Sequence, residues 1–173
     1  MEKSLTEAVA EIVEQWTHEL VQDMRKDIIR QTRKGEQAIL AAEINPILKT
    51  TRSGVSMDLE LPFYYDFVDK GVNGMQGNQG SIYSYKTARP SKKHAQAIAE
   101  WITDAGIEFK GRGSDNWAKA RLNAGYAMAT SIKKKGLKPK PFYDKNITQA
   151  RVDDLSQRIL DATGIVVELQ LLG

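Results

Sequence analysis

Strict alternation of apolar and polar side chains between Val55 and Phe67 constrains the fold of this chain more than any other feature. The apolar members recur at every second position: Val55, Met57, Leu59, Leu61, Phe63, Tyr65 and Phe67. Because successive side chains of a strand point to opposite faces, this pattern predicts a β-ribbon over residues 55–68 with one buried and one solvated face. Pro62 has no amide N–H, so the ribbon is expected to be an edge strand or to bulge there.

A glycine-rich segment follows this ribbon. Residues 71–80 read Gly-Val-Asn-Gly-Met-Gln-Gly-Asn-Gln-Gly and offer almost nothing to bury. A flexible loop is one interpretation; the other, which we favour, is a loop that another protein chain orders, so that residues 71–86 act as an interaction arm. Tyrosines follow the glycines, and tyrosine supplies contact area at low entropic cost. The residues predicted to contact a partner are Gly71, Gly74, Met75, Gly77, Gly80, Tyr83, Tyr85 and, on the first helix, Trp16.

Apolar residues at three- and four-residue spacing predict a long first helix over residues 4–34. Ser4 and Glu7 have the spacing of a capping box, and Gly35 can end the helix in the left-handed conformation. The apolar stripe is Leu5, Val9, Ile12, Trp16, Leu20, Met24 and Ile28. Such a helix would be about 45 Å long, so part of it is expected to project or to pack on a neighbouring subunit.

The rest of the chain predicts shorter elements. Helices are expected over residues 36–44, 90–105, 114–135 and 148–162, and strands over residues 47–49 and 165–172. The side chains predicted to be buried in the two middle helices are Ala95, Ile98, Ala99, Ile102, Trp117, Leu122, Tyr126, Ala129 and Ile132. This order of elements predicts a single α+β domain spanning residues 1–173, with an antiparallel, curved sheet flanked by helices.

Composition narrows the class of protein. The 173 residues include no cysteine, which excludes a disulfide framework, a thiolate metal site and a thiol nucleophile. No run approaches the ~18 apolar residues of a membrane span, so we expect a soluble chain with no membrane partner. A net charge of +3 is below that expected of a dedicated nucleic-acid binder.

No constellation of residues indicates an enzyme. His18 and His94 are far apart in sequence and lack metal-ligand spacing, and surface or capping roles suit them better. The glycine-rich segment is followed by a strand-like stretch rather than by Gly-Lys-Ser/Thr and a helix, which argues against a phosphate cradle. We therefore expect no catalytic activity, no cofactor and no metal.

Two basic clusters are the remaining candidates for a site. The first contains Lys86, Arg89, Lys92 and Lys93, and the second contains Lys133, Lys134, Lys135, Lys138 and Lys140. One interpretation is a solvated surface that promotes solubility. The other is a cationic rim that faces DNA phosphates without reading bases, because no aromatic or bidentate pattern accompanies the lysines. In the second interpretation the DNA-facing residues are Lys92, Lys93, Lys133, Lys134, Lys135, Lys138 and Lys140.

Two segments taken together resemble a known family. Residues 64–74 read Tyr-Tyr-Asp-Phe-Val-Asp-Lys-Gly-Val-Asn-Gly, a tyrosine, an aromatic–valine–acidic group and a glycine. The second segment runs from Trp101-Ile through residues 124–136 to Lys-Pro-Lys-Pro-Phe at 138–142. Their order and spacing resemble the small head–tail connector and tail-completion (neck) proteins of tailed bacteriophages. With the first helix, the resemblance covers most of the chain, although the long helix and the glycine-rich loop depart from the family's minimal pattern.

The resemblance implies a structural virion protein without enzymatic activity. Members of the family form homo-oligomeric rings, in which a curved sheet flanked by helices surrounds a DNA passage between the portal side of the head and the tail. The expected partners are other copies of the chain, the portal or adaptor and tail proteins, and genomic DNA bound non-specifically in the lumen. The alternative is a basic nucleic-acid-associated accessory protein.

Overall fold

The protein has a mixed α+β fold, as predicted, with a long first helix and small antiparallel sheets. The structure, a computed structural model, describes residues 4–31, 39–51, 54–104, 106–110, 115–167 and 169. The helices are α1 Leu5–Gln31, α2 Ile39–Ala42, α3 Tyr65–Asp69, α4 Lys92–Asp104, α5 Trp117–Lys135 and α6 Gln149–Thr163. The strands are β1 Asn45–Thr51, β2 Gly54–Glu60, β3 Val72–Asn73 and β4 Gly136–Leu137.

The chain divides into two compact units. Unit 1 comprises Met1–Tyr65 and Lys140–Gly173, and unit 2 comprises Asp66–Pro139. Unit 1 therefore contains α1, α2, the β1–β2 hairpin and α6, and it is built from both ends of the chain. Unit 2 is a continuous stretch that contains α4, α5 and the β3–β4 pair.

Helix α1 begins as its sequence predicts. The Ser4 N–H donates to Glu7 Oε2 at 2.8 Å and the Glu7 N–H donates to Ser4 Oγ at 3.3 Å, which completes the capping box. The buried side is Val13, Trp16, Thr17, Leu20, Val21, Met24, Asp27 and Ile28, whereas Leu5 is half exposed. Residues 32–35, where the helix was predicted to end, lie outside the described residues.

The predicted ribbon is correct only as far as Glu60. Strands β1 and β2 pair antiparallel from Asn45↔Glu60 to Thr51↔Gly54, and alternate side chains of β2 are half buried. Beyond Glu60 the prediction is wrong, because the Tyr65 N–H donates to the Pro62 carbonyl at 2.9 Å and helix α3 begins. The alternation of residues 61–67 is therefore not a strand pattern, and Phe63 is 90% exposed.

Two shorter elements before the ribbon differ in length from their predictions. The strand predicted over 47–49 is longer in the structure, where β1 spans Asn45–Thr51. The helix predicted over 36–44 spans Ile39–Ala42 in its described part.

The two helices of unit 2 pack through small side chains. Gly125 of α5 lies against Ala95 and Ala99 of α4, and Lys133 contacts Arg89, so the helices run antiparallel. Burial of Ala95, Ala99, Ile102 and Ala129 is confirmed. The prediction that Trp117 is buried is wrong: its side chain is 44% exposed and lies beneath the Arg121 guanidinium.

The end of the chain differs from its prediction. Thr148 caps α6 by accepting from the Arg151 N–H, and Gly164 ends it in the left-handed conformation, both as the sequence suggests. The strand predicted over 165–172 is not formed at residues 165–167 and 169, which are the part that the structure describes. Val167 and Leu169 lie along α6 instead.

Candidate functional site

The arm, residues 71–86, is organised around the side chain of Asn73. Asn73 Oδ1 accepts from the Gln79 N–H at 2.7 Å and from the Ser81 N–H at 3.2 Å. Its Nδ2 donates to the Ser81 carbonyl at 2.6 Å. The Asn73 backbone also bonds Tyr83 and Tyr85, at 2.7 and 3.0 Å. One asparagine thus closes the glycine-rich loop into a compact turn.

The turn is fixed to the C-terminus of α5. The Met75 N–H donates to the Lys133 carbonyl at 3.0 Å and the Gln76 N–H to the Lys134 carbonyl at 2.8 Å. Gln79 Nε2 donates to the Lys135 carbonyl at 2.8 Å. Because the last carbonyls of a helix have no partner within the helix, the arm satisfies groups that would otherwise need water.

Two glycines allow this close approach. A Cβ on Gly74 would overlap the Lys134 carbonyl oxygen, and Gly136 has a φ of +87° where the chain turns from α5 into β4. The sequence prediction that the arm cannot hold its own shape is therefore wrong. It failed because the partner of the loop is a helix end about 60 residues further along the chain, which local sequence does not reveal.

The arm leaves apolar groups on its surface. Ile82 is 76% exposed and Met75 is 51% exposed. Phe67, 41% exposed, packs edge-on against Tyr83 with ring centroids 4.6 Å apart. Ile82 and Met75 are thus exposed apolar side chains on a segment whose backbone is hydrogen-bonded to α5, and they are the candidates for contact with a partner.

Asp66, which precedes the arm, contacts Tyr83 within it and Lys70 just before it. Partial burial raises the pKa of its carboxyl group, but Lys70 Nζ at 2.8 Å and the Tyr83 hydroxyl outweigh that effect, and the net pKa is lowered. Burial also raises the pKa of the Tyr85 phenol. Tyr83 and Tyr85 are both half buried, so each packs partly inside the arm and partly forms its surface.

The structure separates the predicted partner-contact residues. Gly71 is buried, Gly74 and Gly77 are half buried against α5, and Gly80 and Met75 are exposed. Trp16 is in unit 1, only 6% exposed, with its Nε1 donating to the Arg151 carbonyl at 3.2 Å. Its side chain is occupied inside its own chain, so the expectation that it contacts a neighbour is corrected.

The two basic clusters meet at one end of the α4–α5 pair. Lys133 Nζ donates to the Arg89 carbonyl at 3.2 Å and lies 5.7 Å from the centroid of the Tyr85 ring. Gly125 lies between Ala95 and Ala99, so the antiparallel packing sets the first turn of α4 beside the C-terminal half of α5 and places Lys92 and Lys93 at the same end of the pair as the cations that end α5. We call this set the basic end: Lys86, Arg89, Lys92, Lys93, Lys133, Lys134, Lys135 and Lys138. Lys140 belongs to unit 1 and is not part of it.

The basic end is electrostatically uncompensated. None of its lysines forms an ion pair with a carboxylate within the described residues. Unit 2 contains 13 Lys and Arg against 6 Asp and Glu, whereas unit 1 contains 12 against 16. Unit 2 therefore has a net charge of +7 and unit 1 a net charge of −4, a difference that the total of +3 does not reveal. Lys92 and Lys93 also open α4, where the helix dipole disfavours cations.

The histidines and carboxylates of the described residues are weaker candidates for a site. His18 is exposed in unit 1 and His94 is half buried in unit 2. In the described residues, no three His, Cys, Asp or Glu side chains are grouped to hold a metal ion. None of the described helices combines the length and apolar character needed to cross a membrane.

Comparison with protein-family models, with curated proteins and with solved structures finds no match to this chain. Inference about function therefore depends on the two features whose geometry is established above. One is the arm, a rigid turn with exposed apolar side chains. The other is the basic end, which adjoins it through Lys133 and Tyr85.

Proposed function

We propose that this protein is a structural subunit of a bacteriophage neck, forming a ring that joins the portal side of the head to the tail. The observation that carries the proposal is the pairing of β3 with β4. It brings Val72 opposite Leu137 and Asn73 opposite Gly136. These residues belong to the two sequence segments that resemble the connector family, so segments that are distant in sequence form one structural feature.

The proline–phenylalanine corner of the resemblance supports the same proposal. Phe142 is fully buried in unit 1, and the Pro141 carbonyl accepts from Gln31 Nε2 at 3.1 Å. The Phe142 carbonyl accepts from Asn146 Nδ2 at 2.8 Å, which turns the chain toward α6. The buried Phe142 is thus part of the packing of unit 1, which is what the resemblance leads us to expect of this motif.

The basic end suits a passage for DNA. Lysines without carboxylate partners attract phosphates whatever the base sequence, and a ring multiplies a modest charge by the number of its subunits. The arm suits contact with a neighbouring protein, because its apolar side chains are exposed while its backbone is already ordered. Preorganisation of this kind lowers the entropic cost of binding. The proposed location is the virion, and the role requires no catalysis.

The mass of the purified chain tests the proposal. Light scattering and negative-stain electron microscopy should show a closed ring with a central opening wide enough for duplex DNA, alone or with portal-side and tail proteins. Ile82→Asp should weaken docking to such a partner, whereas Phe63→Ser, which changes an exposed aromatic residue of unit 1, should not. A chain that stays monomeric and binds no neck protein contradicts the proposal.

A second candidate function is favoured by the net charge of unit 2. A nucleic-acid-associated accessory protein would use the basic end directly, without a ring. Gel-shift experiments over a salt series separate the two: tight binding by the monomer with a steep salt dependence supports the accessory protein. Weak binding by the monomer, which becomes strong only in the assembled state, supports the ring.

A further inference from the structure

Among the described residues, the outer edges of the β1–β2 hairpin have no strand partner. Within the described residues, the two seven-residue strands pair only with each other. A two-stranded sheet is small, and the free N–H and C=O groups of an edge strand are a template for another strand. Pro46 weakens the outer edge of β1 because it lacks an N–H, whereas β2, Gly54–Glu60, contains no proline. The outer edge of β2 is therefore the better acceptor.

The C-terminal segment, residues 165–172, has the alternating sequence of a β-strand. It reads Ile-Val-Val-Glu-Leu-Gln-Leu-Leu, so that Ile165, Val167, Leu169 and Leu171 alternate with Val166, Glu168 and Gln170. Val166, Val167 and Leu169 line a cleft of about 440 Å³ along α6, where Val166 is 83% exposed and the other two are half buried. The described part of the segment thus lies along a helix, and its backbone forms no ladder.

The root of the hairpin and α6 lie on different sides of α1. Arg25 donates to the Ala41 and Ile44 carbonyls, at 3.0 and 3.1 Å, directly before β1 begins. Asp23 and Asp27, each two residues from Arg25, bond instead to the α6 side, to Arg151 and Lys145. Residues two apart point about 200° apart around a helix, so α1, about 10 Å thick, separates the root of the hairpin from α6.

We infer that residues 165–172 add a strand to the outer edge of β2 in a second copy of the chain, an inference that rests on the ring proposed above. Antiparallel pairing of Val167 with Met57 places Ile165 opposite Leu59 and Leu169 opposite Val55. The same register sets Glu168 opposite Ser56, which avoids the repulsion that Asp58 would cause. Residues 165–172 would span about 26 Å and β2 about 23 Å, so the two match in length.

The joint sheet would be covered on one face only. The donor's α6 lies over Val167 and Leu169, and the acceptor's α1 lies over the half-buried side chains of β2. Because each copy gives a strand at one surface and receives one at another, the contact is heterologous and repeats from copy to copy until a ring closes.

Thiol cross-linking tests the pairing and its register. The chain has no native cysteine, so Val166→Cys with Asp58→Cys introduces the only two thiols. Mild oxidation of the full-length protein should give covalent multimers on a non-reducing gel, and Val166→Cys with Ser56→Cys should give fewer. A mixture of the Val166→Cys single variant with the Asp58→Cys single variant should give covalent dimers only. An intramolecular disulfide, homodimers of either single variant, or no cross-link overturns the inference.

Backbone substitution provides the second readout. Consecutive N–H groups of a strand point to opposite edges of that strand. Replacing both Val166 and Val167 by proline therefore removes a hydrogen-bond donor from whichever edge of the segment faces β2. The mass of this variant should fall to that of a monomer with its helical circular dichroism retained, whereas Val166→Thr with Val167→Ile should still assemble. A ring that forms without the cross-links refutes this inference but leaves the neck proposal intact. A chain that neither cross-links nor assembles refutes both.

Discussion

At the scale of single residues, Asp27 is a buried charge that holds the chain just before α6 against α1. Its carboxylate accepts from Lys145 Nζ at 2.7 Å and from Asn146 Nδ2 at 2.9 Å, and its side chain is 10% exposed. Asn146 Oδ1 in turn accepts from Arg151 Nη1 at 2.9 Å, and Arg151 pairs with Asp23. The network gives hydrogen-bond partners to the two buried residues, Asp27 and Asn146, which is the condition for a buried charge to be tolerated.

Asp27→Asn should lower the free energy of unfolding at neutral pH by about 2 kcal/mol, the usual size for a partly buried, charge-assisted hydrogen bond. The matched control is Asp58→Asn, because Asp58 pairs with Lys49 at the surface, where solvent screening leaves such pairs with little effect on stability. Urea unfolding followed by circular dichroism measures both. Equal losses in the two variants would contradict the role of Asp27.

The same network predicts acid sensitivity. The hydrogen bond from Lys145 lowers the pKa of Asp27, against the opposing effect of burial, and the hydrogen bond from Arg151 lowers that of Asp23. A carboxyl group whose pKa is lower in the folded state stabilises the fold above its unfolded pKa, about 3.9, and loses that contribution as pH falls through the folded pKa. Stability should therefore fall below about pH 4, and less steeply in Asp27→Asn. A pH series of urea unfolding checks this, and identical pH profiles would refute it.

Gly74→Ala should release the arm from α5. The new Cβ would overlap the Lys134 carbonyl oxygen, which is backbone and cannot move aside cheaply. The amides of Met75 and Gln76, whose acceptors are the α5 carbonyls, should then exchange with deuterium faster than in the parent protein. Met75→Ala removes an exposed side chain without adding a Cβ and should leave this protection unchanged. Unaltered exchange in Gly74→Ala would contradict the docking.

At the scale of elements, the contact between α4 and α5 depends on Gly125. A Cβ there would lie 2.9 Å from the Ala99 Cβ and would overlap the Ala95 carbonyl oxygen. Gly125→Ala should therefore lower the free energy of unfolding by about 1–3 kcal/mol through overpacking, although alanine favours the helix by about 1 kcal/mol. Asn123→Ala on the exposed face of α5 should instead stabilise slightly. Thermal unfolding distinguishes the two, and a stabilised Gly125→Ala would refute the close packing.

The elements that sequence predicted are those specified by nearby residues. Ser4 and Glu7 cap α1, Thr148 caps α6, and the small-residue face of α4 is buried as expected. The ribbon failed at Pro62, which has no amide N–H and whose carbonyl accepts from the Tyr65 N–H, so that a local turn replaced the strand that alternation favoured. The arm failed for a different reason, since its hydrogen-bond acceptors are distant in sequence, on α5. The basic end could be found from sequence only as two separate clusters, because antiparallel packing brings them together.

At the scale of the whole molecule, charge is distributed unevenly between the two units. Unit 2 carries +7 and unit 1 carries −4, so the total of +3 underestimates the attraction that one surface can exert on a polyanion. Local charge, and not the total, sets the number of phosphates that a protein neutralises. The location of a lysine should therefore matter more for DNA binding than its effect on net charge.

Substitutions that change net charge equally test this view. Lys134→Gln with Lys135→Gln removes two cations from the basic end, and Lys26→Gln with Lys49→Gln removes two from unit 1. Each phosphate contact contributes about 0.9 to the slope of log affinity against log salt, so the first variant should reduce that slope by about 2. The second should leave it nearly unchanged. Fluorescence anisotropy with labelled duplex DNA over a salt series gives the slopes. An equal loss in both variants would mean that DNA responds to the total charge of the chain, and the basic end would then have no special role.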